Sequence, residues 1–316
     1  MNRNIKVLVV TGQYPDSFNP LINIFIKEQV DSLIERYQDL EIQVFNIHTE
    51  INKLNYLKRR SKFKQFVNQN NFDIVHYHYG LTALIGLNQN IKAKQIITFH
   101  GSDLNMVMLH RIVSKLAVMQ FDHSIVVSVP LLNEIKFRNH SVISCGVNTD
   151  LFRPMDKTEC RRLLGLPVEK KLILFPGAKT NPIKNFKFLE RVLLHLDKEK
   201  FEVIELKNIQ RKDVPLFLNS ADVVTLTSLN EGSPQVLKEA AFCRVPIVTV
   251  DVVDVAFILE GSNNSHIVER DEKLFAQKII QVVEQPGNSG FKNLEGFDSE
   301  VISSKIYTLY TSLISP

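Results

Sequence analysis

Residues 214–250 read V-P-L-F-L-N-S-A-D-V-V-T-L-T-S-L-N-E-G-S-P-Q-V-L-K-E-A-A-F-C-R-V-P-I-V-T-V. Asp222–Thr227 is a β-branched apolar run, the turn Leu229-Asn230-Glu231-Gly232 follows, Ser233-Pro234 opens a helix, and Pro246–Val250 is apolar again. The order is strand, loop, helix, strand. Serine is a favoured N-cap, and proline suits the first helical position, where no amide donor is needed. The amides of Gln235, Val236 and Leu237 then point outward at the positive end of the helix dipole. Such a terminus is an anion site, and phosphate is its usual guest. Glu239 lies about a turn and a half into the same helix, where its carboxylate can accept hydrogen bonds from a sugar diol. A phosphate cradle beside a diol acceptor points to a nucleotide. Alone, a Ser-Pro helix start can bind nothing and a helical glutamate can be a solvated face. Two carboxylates bracketing the start, with Gly232 between them and strands on both sides, favour the site.

At 316 residues the chain has room for about two domains, each able to bury a core. A hydrophobic share of 44% and a charged share of 23% are those of a globular protein. No apolar run approaches the ~20 residues of a membrane span, and Val7–Val10 reads as a first buried strand rather than a signal-peptide core. Cys145, Cys160 and Cys243 are far apart, without metal-type spacing, which points to a reducing cytoplasm and no structural zinc. A net charge of +4 does not indicate a nucleic-acid binder. The charge is uneven, however: Lys53, Lys58, Arg59, Arg60, Lys62 and Lys64 interleave with Leu54, Tyr56, Leu57, Phe63 and Phe66. A basic amphipathic helix over Lys53–Lys64 is expected either to contact an anionic membrane or to pack its apolar residues inward with a solvated outer face.

Strands are predicted at Lys6–Thr11, Ile42–Ile47, Asp73–His78, Gln95–His100, His123–Ser128 and Val142–Ser144. A second set is predicted at Lys171–Pro176, Phe201–Leu206, Asp222–Thr227, Pro246–Val250 and His266–Glu269. Helical spacing fills Ile22–Arg36, Leu104–Gln120 and Ser299–Leu313. Strand–helix alternation implies parallel sheets with right-handed crossovers, hence an α/β chain of two Rossmann-like domains facing across a cleft. The expected divisions are a first Rossmann-like domain at 1–153, a linker at 154–168, a second Rossmann-like domain at 169–290 and a terminal helix at 291–316. Thr11-Gly12-Gln13-Tyr14-Pro15 is no GxGxxG fingerprint, which argues against a dinucleotide-dependent dehydrogenase.

E-G-S-P-Q-V-L-K-E (231–239) resembles the Glu-x7-Glu motif of retaining GT-B glycosyltransferases of family 4 (group 1). Tyr14-Pro15 with Phe25–Gln29 resembles the family's first loop and helix, and Asp73–His78 and Thr98–Asp103 resemble its later amino-terminal strand ends. Cys145–Pro154 resembles the interdomain NGVDxxxFxP signature, and Phe175-Pro176-Gly177 through Lys184-Asn185 the GRxxxxKN phosphate loop. The resemblance covers nearly the whole chain, in order. It implies that Lys184 sets a point charge on the diphosphate, Glu239 holds the ribose hydroxyls, Glu231 contacts the donor sugar, and His100 contacts sugar or phosphate. Gly232, Ser233, Pro234, Gln235, Val236 and Leu237 form the cradle. It also implies retention of configuration, a UDP- or GDP-linked donor as substrate, a glycan or lipid-linked acceptor, and no cofactor or metal. Surface-polysaccharide synthesis by a cytoplasmic protein, peripheral at the inner membrane face, is the expected setting.

The chain departs from the pattern at several points. Ala178 stands where the phosphate-loop arginine is usual, with Lys179 beside it as a substitute lacking the bidentate grip. Asn23 stands where a glycine lets backbone approach phosphate, and Arg244 and Val253 stand where small residues are usual. Twelve glycines are few against a typical ~7%. These losses motivate a second reading, a catalytically impaired GT-B subunit that binds a nucleotide sugar or a partner transferase. A GT-B epimerase or phosphorylase fits the 145–154 and 231–239 matches less well.

Overall fold

The computed structural model describes residues 4–17, 20–49, 54–105, 108–285 and 290–315. The chain divides into two compact units, Met1–Gly146 with Ser299–Pro316, and Val147–Asp298. In the first unit the order is β1 (Ile5–Thr11), α1 (Ile24–Arg36), β2 (Leu40–Asn46), α2 (Asn55–Lys58), α3 (Arg60–Asn70), β3 (Ile74–His78), β4 (Lys94–Phe99), α4 (Ser102–Asn105), α5 (Met108–Gln120), β5 (His123–Val126) and β6 (His140–Val142). The second unit runs α6 (Lys157–Leu164), β7 (Lys171–Phe175), α7 (Phe186–Leu193), β8 (Phe201–Glu205), α8 (Val214–Ser220), β9 (Val223–Leu226), α9 (Gln235–Phe242), β10 (Ile247–Thr249), α10 (Val255–Ile258), β11 (His266–Ile267) and α11 (Glu272–Glu284). α12 (Ser299–Ile314) belongs to the first unit.

Both sheets are parallel throughout, with strand orders β2-β1-β3-β4-β5-β6 and β11-β10-β9-β7-β8. Parallel strands are covered on both faces, so the central ones read as unbroken apolar runs. β3 is buried at every residue, and β9 is too. Each stretch expected as a strand forms one, with ends shifted by a few residues. The Leu104–Gln120 helix is two pieces, α4 and α5, and residues 106–107 between them lie outside the described residues. The expected basic helix is likewise α2 and α3 with Arg59 between, and Lys53 lies outside the described residues. Among the described residues no helix is long and apolar enough to cross a membrane.

α12 buries Ile302, Ile306 and Tyr310 in a core shared with Val7, Val9, Ile74 and Ile96. Tyr307 stacks on Tyr37 at 3.8 Å and its hydroxyl donates to Asp39 at 2.7 Å. The segment expected as a linker, 154–168, is instead largely α6 and part of the second unit. The reason is Arg161. Its guanidinium donates to the carbonyls of Ser220, Val168 and Lys170 and, at 2.5 Å, to the buried Asp222 carboxylate. Asp222 also accepts the Leu172 amide at the start of β7. A buried charge held by four hydrogen bonds fixes its helix firmly, because removing one partner strands the other.

Three residues flagged as departures share one backbone feature. Asn23, Arg244 and Val253 all have positive φ, at 48°, 60° and 45°. Asparagine tolerates that region, whereas a β-branched residue there is strained. Left-handed geometry at a non-glycine residue costs about 1–3 kcal/mol, against roughly 0.5–1 kcal/mol for the backbone freedom glycine loses. Val253→Gly is therefore expected to stabilise the protein by about 1 kcal/mol, read as a higher urea midpoint. An unchanged or lower midpoint contradicts the strain assigned to Val253.

Candidate functional site

The carboxyl ends of β7 and β9 bring the phosphate-loop lysine to the first glutamate. Gly177 leaves β7 at φ 142°, and a Cβ there would meet the Lys184 side chain at 3.3 Å. The turn Pro182–Lys184 is capped by the Asn181 side chain, which accepts the Ile183 amide. It is tied to the loop after β9 by the Leu229 amide on the Ile183 carbonyl and the Thr227 hydroxyl on the Lys184 carbonyl, both at 2.8 Å. Lys184 Nζ consequently donates to Glu231 Oε1 at 2.7 Å, and the Ser228 hydroxyl donates to the same oxygen at 2.6 Å. Both charged side chains remain partly exposed, so the pair can exchange partners with an incoming anion.

The helix start differs from its sequence reading. Pro234, not Ser233, is the N-cap of α9, and the Leu237 amide donates to the Pro234 carbonyl at 3.1 Å rather than pointing outward. Ser233 instead donates its hydroxyl to Asp254 Oδ2 at 2.5 Å. A buried carboxylate is a stronger acceptor than anything helix capping offers, which explains the displaced serine. Burial holds the Asp254 carboxyl above its usual range, opposed by the charge of Lys238. Lys238 is itself fully buried, 5.0 Å from the centroid of the Phe297 ring. Gly232, Ser233, Gln235 and Val236 stay half-exposed, while Pro234 and Leu237 are buried.

Glu239 is 3% exposed and is joined by Arg211, whose guanidinium donates to Glu239 Oε1 at 2.8 Å and lies 4.5 Å from the centroid of Phe152. Nothing in the spacing of the sequence signals Arg211, which sits in the loop before α8 about thirty residues away. Arg270 was also missed, and its guanidinium donates to the Ser228 carbonyl at 2.8 Å. The Lys179 amide donates to Glu205 at 2.8 Å, and its ammonium lies 4.8 Å from the centroid of Phe186. Lys184, Glu231, Ser233 and the start of α9 thus form one group, with Glu239 and Arg211 along the helix behind it.

His100 lies in the first unit, on the loop after β4. Asp103, 2% exposed, accepts the amides of His100, Gly101 and Gly80 and so sets that loop; burial pushes its carboxyl up to about 6. Asn23 caps α1 in left-handed geometry, donating to the Gln13 carbonyl and accepting the Tyr79 hydroxyl. His78 Nδ1 and His100 Nε2 are 3.1 Å apart, and His100 Nδ1 is 3.8 Å from Cys145 Sγ. The fully buried Nε2 of His78 has no hydrogen-bond partner. An orphaned N–H is rarer and costlier than an orphaned lone pair, so this network assigns the His78 proton to Nδ1. His78 then donates to His100 Nε2, which puts the proton of a neutral His100 ring on Nδ1, the nitrogen 3.8 Å from Cys145 Sγ.

Burial drives His76 and His78 well below the ordinary histidine range, with further lowering by each one's neighbouring histidine. Both stay neutral in the fold and gain protons on unfolding below about pH 6.5. The unfolded state then binds more protons, so stability is lost as pH falls through that value. Asp103, raised to about 6, and Asp254, also raised, act in the opposite sense, while His123 and His266, both lowered, add to the effect of His76 and His78, so two groups oppose four. Lowering the pH from 7.5 to 5.5 is expected to remove about 2 kcal/mol of unfolding free energy, measured by urea titration at each pH. A flat profile contradicts the buried neutral pair.

Residues 1–151 match the family model described as Glycosyltransferase Family 4, and residues 185–285 match that described as Glycosyl transferases group 1. Over 242 residues the chain is 25% identical to a protein of Bacillus subtilis (strain 168) that carries the name of a teichuronic acid biosynthesis glycosyltransferase, TuaC. The match covers 66% of this chain and 61% of that one. Sucrose-phosphate synthase (tll1590) from Thermosynechococcus elongatus superposes with a TM-score of 0.84 at 17% identity, covering 98% of this chain and 99% of that one. Alr3699/HepE of Anabaena, solved in complex with UDP and glucose, superposes with a TM-score of 0.76 at 15% identity, covering 98% and 100%. At those identities the superpositions show the fold, and the family models supply the kinship. Two parallel-sheet domains, each half matched to its own part of the family, place the chain among the GT-B glycosyltransferases of family 4.

Proposed function

We propose that this protein is a retaining, metal-independent glycosyltransferase that moves a sugar from a nucleotide sugar to a glycan or lipid-linked acceptor in surface-polysaccharide synthesis. The observation that carries the reading is the Lys184–Glu231 pair set beside the half-exposed start of α9. A donor diphosphate would meet Lys184 and the first-turn amides at Gln235 and Val236, leaving Glu231 to the sugar hydroxyls. Such preorganised donors aimed at a leaving group are usually the largest catalytic contribution. Glu239 would hold the ribose diol with the carboxylate oxygen that Arg211 leaves uncovered. His100 would offer Nδ1–H to the sugar or phosphate in place of its weak contact with Cys145. In the reaction the acceptor oxygen bonds to the anomeric carbon as the bond to phosphate breaks on the same face, and the acceptor's proton passes to the departing phosphate.

UDP is the first donor class to test, in keeping with the ligand of the HepE structure, and GDP the second. The name of the teichuronic acid relative supports a surface polysaccharide as product. A cytoplasmic protein resting on the inner face of the membrane suits a lipid-linked acceptor. The rival reading, an impaired subunit that binds without turnover, gains one specific observation. Arg211 already occupies an oxygen of the ribose-binding carboxylate, and Ala178 supplies no guanidinium in exchange.

A calorimetric screen of UDP-, GDP-, ADP- and CMP-sugars tests the site. One nucleotide class is expected to bind, with affinity lowered about tenfold or more by Lys184→Ala and by Glu239→Ala, as befits loss of a charged hydrogen bond. Donor turnover is expected to vanish in Glu239→Ala. Absence of binding by every nucleotide, or an unchanged affinity in Lys184→Ala, overturns the assignment. Tight binding with no turnover on any donor and acceptor selects the subunit reading.

A further inference from the structure

α5 is apolar on two sides. Val113, Ser114, Ala117 and Val118 face inward and are buried. Met108, Leu109, Ile112, Leu116 and Met119 face outward at 46–80% exposure. At 100° per residue these five fall within an arc of about 100°, a continuous stripe along the solvent side of a helix whose other face already serves the core. Among the described residues of the first unit, none covers that stripe. Clustered apolar exposure of this kind marks an interaction surface.

The rim of the stripe identifies its partner. Arg111 and Lys115 run along one edge, both exposed, with the Arg111 guanidinium also donating to the Glu134 carbonyl at 2.6 Å. The Arg138 guanidinium donates to the Met119 carbonyl, which sets a third cation at the carboxyl end. Residues 104–121 contain no aspartate or glutamate. An apolar stripe edged by cations on a helix without acidic residues is the pattern of a helix lying in the headgroup region of an anionic bilayer. The basic stretch 54–64 is a poorer candidate, because its exposed large apolar side chains among the described residues are Leu54 and Leu57, against the five on α5, while Phe63 is buried. The inner face of α5 also supports the loop that carries His100: the Ser114 hydroxyl donates to the Asp103 carbonyl at 3.2 Å.

We infer that the outer face of α5 is a membrane-docking surface, with Met108, Leu109, Ile112, Leu116 and Met119 entering an anionic bilayer while Arg111, Lys115 and Arg138 engage lipid phosphates. The inference rests on the proposed function only for the lipid-linked acceptor that such docking would serve. Docking itself needs no donor and is measured without one.

The test is flotation of the full chain with vesicles of phosphatidylcholine and phosphatidylglycerol, compared with phosphatidylcholine alone. The parent is expected to float with the anionic vesicles and to be released by salt. The Ile112→Glu/Leu116→Glu variant is expected to lose about tenfold or more of its bound fraction, with an unchanged melting temperature and unchanged nucleotide affinity. Arg111→Gln/Lys115→Gln is expected to lose most of the preference for the anionic vesicles, whereas Lys58→Gln/Lys62→Gln/Lys64→Gln is expected to float like the parent. Three outcomes overturn the inference: a parent that does not float, a glutamate variant that floats equally well, or a parent dimer in solution that the glutamate substitutions split. Unchanged nucleotide affinity alongside lost flotation separates this surface from the donor site.

Discussion

Two hydrogen bonds between loops hold the candidate site together: the Leu229 amide on the Ile183 carbonyl and the Thr227 hydroxyl on the Lys184 carbonyl. Both cross from the loop after β9 to the turn after β7, strands that are neighbours in the sheet. Parallel strands end on the same side, so residues distant in sequence arrive together only there. Without that tie Lys184 and Glu231 would be two flexible surface side chains, and their attraction would be weak. With it, the lysine is aimed by its backbone and the carboxylate is steadied by Ser228 as well. The geometry of the Lys184–Glu231 pair depends on main-chain positioning more than on charge alone.

The glycine-poor composition is a second constraint. Where the chain must turn left-handed it often does so without glycine, at Asn23, Asn71, Asn88, Asn185 and Asn208 and, with more strain, at Arg244 and Val253. Asparagine can supply that geometry together with a polar side chain. At Asn23 the side chain bonds to Gln13 and Tyr79, and at Asn185 it reaches the Thr227 carbonyl. Some of the departures from the family pattern therefore preserve backbone shape while filling space. Ala178 is different, since no backbone argument replaces the missing guanidinium.

Desolvated polar groups organise both units. Asp103 shapes the His100 loop through three amides, Asp254 draws Ser233 away from helix capping, and Asp222 anchors α6 through Arg161. Each is a carboxylate with few alternatives to the partners it has, and that makes its geometry rigid. The buried His76–His78 pair behaves similarly without charge, passing a defined hydrogen-bond direction to His100. The candidate residues of each unit are thus fixed from behind by buried side chains.

The amino-acid pattern by itself determined the strand order of hydrophobicity, the parallel α/β class and the motifs at strand ends. Unbroken apolar runs have one reading when they alternate with helical periods. Its likeness to the family's motifs also singled out Lys184, Glu231, Glu239 and His100 as candidate site residues. Tertiary structure alone decided which of these meet: Lys184 touches Glu231, Glu239 is held by Arg211, and His100 is steered by His78. It also decided that Pro234 caps α9 and that α5 turns an apolar face to solvent. Those facts turn on hydrogen-bond competition and on which helix face the sheet covers. Both depend on contacts between segments remote in sequence, which no local pattern encodes.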